Sequence, residues 1–241
     1  MAMGAVQLLM VLSGPAVGSF LALVADRWPR GEQVAAGRSR CRACGAALRP
    51  AELIPLASYM LQRGRCSRCA AAIPRAVFWG EVGGLAVGAA CAFAVPPGWI
   101  LATAVLGYAL LALALLDSAA RWLPLALTLP LAAAGLIASW HAGLLSDGLI
   151  GFALGFVALE ALRLGYRALA GRDGVGGGDP LLVGAIGAWV GWQGLGPVIL
   201  FASGGALVAA LIVPTCPDRI AFGAWLSVSA FIEWLTGLGA P

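Results

Sequence analysis

Apolar residues fill most of the chain in runs of about 17 to 25 residues, and short polar segments separate these runs. A helix needs a run of about that length to cross the hydrocarbon core of a bilayer, where it satisfies its own backbone groups. The pattern therefore predicts an all-α polytopic membrane protein with about eight transmembrane helices. The predicted spans lie approximately at 5–24, 77–95, 99–116, 122–140, 145–164, 181–192, 197–213 and 222–234, of which the sixth and the eighth are short.

One long polar segment, from Asp26 to Arg75, interrupts this pattern directly after the first predicted span. It holds ten of the fifteen basic residues, all of which are arginine. With eight alternating spans, all fifteen arginines fall on one side of the membrane, which the positive-inside rule makes the cytoplasmic side. The predicted organisation is a first transmembrane helix (1–25), a small cytoplasmic domain inserted after it (26–76) and a seven-helix membrane domain (77–241).

Composition agrees with a membrane setting. The chain is 61% hydrophobic and 11% charged, whereas soluble domains have about 25% charged residues. The net charge of +4 comes from the arginines beside the predicted spans. The expected partner is therefore the lipid bilayer, and no nucleic-acid partner is expected.

Four of the six cysteines form two Cys-x-x-Cys pairs inside the polar segment. Paired thiolates at this spacing grip one metal ion, and a reducing cytoplasm argues against disulfides. The gap of 21 residues between the pairs lies just beyond the usual range of a zinc ribbon. Cys91 and Cys216 have no such neighbours and are interpreted as small buried hydrophobes. The pattern predicts one structural zinc site with four protein ligands, Cys41, Cys44, Cys66 and Cys69.

Two isolated carboxylates stand at ends of predicted spans on the cytoplasmic side. Asp117 ends the third span, and Asp179 opens the sixth. Ionisable groups at a membrane boundary are functional candidates, and two carboxylates held close can act as acid and base toward water. The alternative is that each aspartate caps a helix or pairs with Arg121 or Arg172. Three glycines precede Asp179 and are expected to permit close backbone approach and positive φ: Gly176, Gly177 and Gly178.

Other charged residues keep two interpretations each. Glu81, just inside the second span, is a candidate for orienting the active site or for contacting the cysteine-containing domain, and simple packing is the alternative. The arginines around the cysteines are interpreted as contacts to anionic lipid headgroups, with substrate binding as the alternative. These arginines are Arg38, Arg40, Arg42, Arg63, Arg65 and Arg68.

In their order along the chain, these motifs resemble those of the bacterial prepilin peptidases, also called type IV leader peptidases. The resemblance runs nearly end to end and includes segments 18–21, 41–44, 54–59, 66–69, 116–117, 176–179 and 220–223. It implies a membrane aspartic protease of the bacterial inner membrane that cuts the basic leader of prepilins and pseudopilins after a glycine at the cytoplasmic face. It makes Asp117 and Asp179 the catalytic pair. Many members also methylate the new N-terminus with S-adenosylmethionine, and for this chain that cofactor rests on the resemblance alone.

The chain departs from the family pattern at a few positions. Ala119 and Leu125 replace family aspartates, Leu53 replaces the asparagine of an Asn-Ile-Pro motif, and Pro180 follows Asp179 where the family has lysine. These departures bear on methylation and substrate range more than on cleavage.

Two other kinds of protein fit the pattern. A catalytically silent membrane scaffold would bind pilins or secretion components. A solute transporter would place its charges near the membrane midplane in broken helices, whereas both aspartates lie at the boundary. The scaffold is therefore the main alternative.

Overall fold

The computed structural model of the chain describes residues 4–34, 38–171, 174, 176–212 and 221–239. Within these residues the regular structure is helical, apart from two isolated β-bridges in the polar segment. The predicted all-α class is confirmed. The chain divides into two compact units, Met1–Ala94 and Val95–Pro241.

The first unit pairs two long helices on either side of the polar segment. Helices α1 and α3 approach closely through glycines, since a methyl group on Gly18 would lie 1.9 Å from the carbonyl oxygen of Gly80. Small residues at a helix interface permit this approach in membrane proteins. Cys91, on α3, is buried as expected, and Cys216 lies outside the described residues. The helices of this unit are α1 (Ala5–Arg27), α2 (Ala57–Leu61) and α3 (Arg75–Phe93).

The second unit is a bundle around an aliphatic and tryptophan core. Leu113, Leu182 and Leu226, from three different helices, are fully buried in it. The helices of this unit are α4 (Ile100–Ala120), α5 (Leu125–His141), α6 (Leu145–Ala170), α7 (Asp179–Ile212) and α8 (Phe222–Gly239).

Helix α7 is interrupted at Gly191, whose φ of 71° and ψ of 179° are not helical. Before this break, Trp189 contacts Trp234 near the end of α8, with ring centroids 5.3 Å apart. After the break, a methyl group on Gly205 would lie 2.6 Å from the ring of Trp225, near the start of α8. The second half of α7 therefore runs along α8 from the end of that helix toward its start.

The first half of α7 begins at the same end of the unit where α8 starts. A methyl group on Gly178 would lie 2.8 Å from Cβ of Leu123, and one on Gly223 would lie 3.2 Å from Cδ1 of the same leucine. Since Gly178 immediately precedes α7, the two halves of α7 run in opposite directions. They correspond to the sixth and seventh predicted spans.

In the part of the chain that the structure describes, five helices are long and apolar enough to cross a bilayer, namely α1, α3, α4, α6 and α7, which is counted once. Helices α5 and α8 are also apolar but shorter. The predicted membrane protein is thus supported by the described residues, and the count of about eight spans stays a prediction.

Candidate active site and metal centre

The second unit brings Asp117 and Asp179 together at one end of the bundle. Asp117 lies in the last turn of α4 and Asp179 is the first residue of α7. Each residue is only 6% exposed. Both acids border Leu123: a methyl group on Gly178, which precedes Asp179, would lie 2.8 Å from Cβ of this leucine, and one on Gly223 would lie 2.9 Å from Oδ2 of Asp117 and 3.2 Å from Cδ1 of the same leucine. Two buried carboxylates held close together can share one proton, so one acts as an acid while the other accepts a proton from water.

A backbone N–H group at the start of α8 binds the carboxylate of Asp117. The backbone N–H of Ala224 donates a 3.1 Å hydrogen bond to Oδ2 of Asp117, and a methyl group on Gly223 would lie 2.9 Å from the same oxygen. The first N–H groups of a helix lack partners within the helix and favour a carboxylate. Sequence reasoning missed Gly223 and Ala224 as site residues. The available signal was Gly223 near the start of the eighth predicted span. It lies in segment 220–223, which was noted only because it resembles a family motif.

Two of the three glycines before Asp179 occupy positions where a side chain would lie too close to its neighbours. The N–H of Gly176 donates a 3.0 Å hydrogen bond to Oδ2 of Asp179, and a methyl group on Gly176 would lie 2.9 Å from that oxygen. Gly178 packs against Leu123, whereas a methyl group on Gly177 would meet nothing within 4 Å. The expectation of positive φ is wrong for these three glycines, because the backbone approaches its neighbours closely without the left-handed conformation.

Glu81 contacts the polar segment of the first unit. It is 3% exposed on α3 and accepts hydrogen bonds from Oγ of Ser19 on α1, at 2.8 Å, and from the backbone N–H of Leu56, at 2.6 Å. Leu56 has a φ of 61°, which is unfavourable for a residue with a side chain. Of the two functional interpretations, the structure therefore supports contact with the cysteine-containing segment.

The four paired cysteines converge on one point. Their sulfur atoms all lie within 4.8 Å of one another, and Sγ of Cys41 is 3.7 Å from Sγ of Cys69. Tetrahedral zinc with Zn–S bonds of about 2.3 Å places its sulfurs about 3.8 Å apart. The donor set and its spacing therefore fit zinc, with Cys41, Cys44, Cys66 and Cys69 as the ligands.

Two equivalent turns position the cysteines. In the first, the N–H of Cys41 donates to the carbonyl of Ala46 at 2.9 Å, and in the second the N–H of Cys66 donates to Ala71 at 2.8 Å. The isolated β-bridges close these turns, between Arg40 and Ala47 and between Arg65 and Ala72. The same local fold repeats, so each Cys-x-x-Cys pair presents two sulfurs to one centre.

The thiols differ in acidity. The backbone N–H of Cys44 is the largest cause that lowers the pKa of Cys41 to about 6. The backbone N–H of Ala71 favours the thiolate of Cys69, but desolvation and the neighbouring cysteines raise its pKa to about 12. A cation at the centre would supply the charge that lets all four sulfurs ionise together.

Among the arginines around the cysteines, Arg42 pairs with acidic residues of the protein. Arg42 forms ion pairs with Asp26 and Glu32. Glu52 accepts hydrogen bonds from the backbone N–H of Arg49 and from the hydroxyl of Ser67, inside the second cysteine turn. The polar segment is therefore held by its own charge network, and headgroup contact stays a prediction for the other arginines.

Two protein families match consecutive parts of the chain. Residues 12–95 match the Bacterial Peptidase A24 N-terminal domain, and residues 104–213 match the Type IV leader peptidase family. The prepilin leader peptidase/N-methyltransferase of Aeromonas hydrophila is 36% identical over 208 residues, which cover 83% of this chain and 72% of the relative. The chain belongs to the type IV leader peptidase family.

Other type IV leader peptidases are similar over most of the chain. A Pseudomonas aeruginosa relative with the same name is 33% identical over 94% of this chain and 89% of its own length. An Escherichia coli relative named type 4 prepilin-like proteins leader peptide-processing enzyme is 32% identical over 93% and 91%. No solved structure matches the chain. The family that the motifs resemble is confirmed, and the roles of individual residues stay predictions.

Proposed function

We propose that this chain is an aspartic endopeptidase that removes the leader peptides of type IV prepilins and pseudopilins. The observation that carries the proposal is that Asp117 and Asp179 are both buried at one end of the second unit, on either side of Leu123. Family membership supports the substrate class, because the relatives are named for processing prepilin leader peptides.

The proposed hydrolysis uses the carboxylates of Asp117 and Asp179 and no metal ion. One carboxylate accepts a proton from water as the water oxygen attacks the carbonyl carbon of the scissile peptide bond. The protonated partner donates to the carbonyl oxygen and afterwards a proton reaches the leaving amine. The N–H groups of Ala224 and Gly176 each donate a hydrogen bond to one oxygen of a carboxylate, which orients the pair for this exchange.

A topology with about eight spans supports cleavage at the cytoplasmic face. In it, α1, α3, α4, α5, α6, the two halves of α7, and α8 all cross the inner membrane. The ends of α4 and α8 that meet at Asp117 then share a side with the polar segment and its arginines. The test uses single cysteines at Gly31 and Gly174 in intact cells. Protection of both from an impermeant external reagent is expected, and labelling of either would reject this topology.

Zinc and methylation complete the proposal. Zinc at Cys41, Cys44, Cys66 and Cys69 would be structural, because four thiolates leave no open position for a catalytic water. Methylation of the new N-terminus with S-adenosylmethionine is a second activity, supported by the names of the relatives. No residue of this chain is assigned to that cofactor.

The test is incubation of the purified protein in lipid with a panel of prepilins, followed by mass measurement of the products. Loss of the leader mass is expected with the wild type and absent with Asp117→Asn. A further gain of one methyl group is expected when S-adenosylmethionine is added. If folded wild-type protein cleaves no prepilin, the catalytically silent scaffold becomes the better account.

A further inference from the structure

A cavity of 260 Å³ lies within the second unit, at the end opposite to the two aspartates. It is bounded by the residue that precedes α4, the end of α5, the start of α6, the break in α7 and the end of α8. Asp117 lies 17 residues after Ile100, the first residue of α4, so about 26 Å of helix separates it from the start of α4 beside the cavity. The cavity is therefore a separate place from the candidate active site.

Three tryptophans form one wall of the cavity: Trp99, Trp189 and Trp234. The ring of Trp234 packs edge-on against both of the others, at centroid distances of 5.6 Å and 5.3 Å. The indole N–H of Trp189 donates to the carbonyl of Leu131 and that of Trp234 donates to Oγ1 of Thr103. Since indole has no other donor, these two rings offer only their π-systems to a ligand, and π-systems attract cations.

Two carboxylates line the same cavity. Asp147 lies in the first turn of α6, and Glu233 lies near the end of α8. Among the described residues, no hydrogen-bond donor or cation pairs with either carboxylate, and no basic residue lines the cavity. Both side chains are partly exposed, and ionisable residues of a membrane bundle that face a cavity are candidates for a functional site.

The break in α7 opens directly onto these acids. A methyl group on Gly191 would lie 3.7 Å from Cβ of Asp147, and one on Gly194 would lie 3.3 Å from Cγ of Glu233. Non-helical backbone within a membrane protein is tolerated where it lines a cavity or is buried in protein. The break in α7 and the two acids therefore line the same cavity.

We propose that this cavity binds a small organic ammonium ion, with its charge beside Asp147 and Glu233 and its carbon groups against the tryptophans. A hard metal ion fits less well, because it needs six or more oxygen ligands at short distance and the tryptophan wall supplies none. The volume suits a ligand smaller than drug size. A free amine and the ethanolamine headgroup of a phospholipid present the same chemistry.

The test measures binding of choline chloride and ethanolamine hydrochloride to the full chain in phosphatidylglycerol nanodiscs, at constant ionic strength. Calorimetry and tryptophan fluorescence are expected to show saturable binding. Asp147→Asn and Glu233→Gln are each expected to weaken it by about tenfold or more, since each removes a charge-assisted contact. Glu160→Gln on α6 is the matched control, because it removes a carboxylate that pairs with Arg163 away from the cavity.

A second arm separates the sources of the ligand. If a lipid headgroup is the natural occupant, nanodiscs that contain phosphatidylethanolamine will mask binding of the free amines. If the natural occupant is a free amine, both lipid compositions will give the same binding. Thermal unfolding and circular dichroism establish that the variants are folded. Absence of saturable binding in phosphatidylglycerol discs, equal binding by the folded variants, or saturable binding of calcium chloride in place of the amines would overturn the proposal.

Discussion

The backbone N–H of Ala224 donates a 3.1 Å hydrogen bond to Oδ2 of Asp117, a residue 107 positions earlier in the chain. The contact ties the start of α8 to the end of α4. It fixes one oxygen of the carboxylate, so its geometry depends on how closely the backbone at Gly223 can approach. Substitution of Gly223, which contributes no side chain to the chemistry, therefore tests the candidate site.

Gly223→Ala is expected to reduce prepilin cleavage by about tenfold or more, because about 1 Å of misplacement at a catalytic group is costly. The added methyl group would lie 2.9 Å from Oδ2 of Asp117 and 3.2 Å from Cδ1 of Leu123. The measurement is the cleavage rate of a purified prepilin in lipid. Gly204→Ala is the control, since a methyl group there meets nothing within 4 Å. Equal rates for the two variants would show that the start of α8 does not position Asp117.

Asp117→Asn and Asp179→Asn are each expected to reduce cleavage by several powers of ten. Asparagine keeps the size of the side chain but cannot share the proton. Because groups that act as a unit do not lose activity additively, the double variant should be little slower than either single one. Single-turnover cleavage assays measure this. A folded single variant with near-normal rate would show that the two carboxylates are not the catalytic pair.

The helices could be predicted because length and hydrophobicity alone specify a membrane helix. The run predicted at 77–95 appears as Arg75–Phe93, and the run at 145–164 continues to Ala170. The cysteine cluster could also be predicted, because each pair is local and both pairs must face one ion. The sixth and seventh spans were predicted as separate helices, and the break between the two halves of α7 lies at Gly191.

Contacts between distant segments could not be read from the sequence. The bond from Ala224 to Asp117 depends on where the start of α8 packs, and no local pattern encodes that. The same holds for Glu81, whose partner Leu56 adopts a positive φ that leucine rarely takes. Sequence reasoning found both acids as isolated charges but could not name their partners.

Removal of zinc is expected to loosen the polar segment and leave the helices intact, because metal binding and folding of such a small domain are coupled. Cys66→Ser should lower the bound zinc measured by elemental analysis and raise hydrogen exchange between residues 38 and 73. Cys91→Ser is the control, since Cys91 is buried in α3 away from the paired cysteines. Wild-type protein purified gently without any bound metal would contradict the zinc site.

Glu81→Ala is expected to release the turn at Leu56, because it removes both acceptors of the hydrogen bonds from Ser19 and Leu56. Both hydrogen bonds are only partly buried, so their loss should cost no more than that of a fully buried unpaired donor, about 1–3 kcal/mol. Glu81→Gln keeps one oxygen and should have a smaller effect. Hydrogen exchange of the Leu56 amide measures the release.

Two serines on α1 provide a matched test of the contact between Glu81 and the polar segment. Ser19→Ala should raise exchange at Leu56 slightly, whereas Ser13→Ala should not, because the hydroxyl of Ser13 donates to the carbonyl of Met10 in its own helix. If Glu81→Ala leaves exchange at Leu56 unchanged, Glu81 does not hold the polar segment and the packing interpretation stands.

Gly18→Ala is expected to weaken the pairing of α1 with α3. Its methyl group would lie 1.9 Å from the carbonyl oxygen of Gly80 and 3.1 Å from Cα of Gly84, both of them backbone atoms that cannot move aside independently. Overpacking of this kind costs about 1–3 kcal/mol, so the two helices should separate more often. Hydrogen exchange of peptides from α1 and α3 should therefore rise in the variant. Gly4→Ala, whose methyl group would meet only a side-chain oxygen at 3.7 Å, should leave exchange unchanged. Equal exchange in Gly18→Ala and wild type would mean that the two backbones do not rely on this glycine for their close approach.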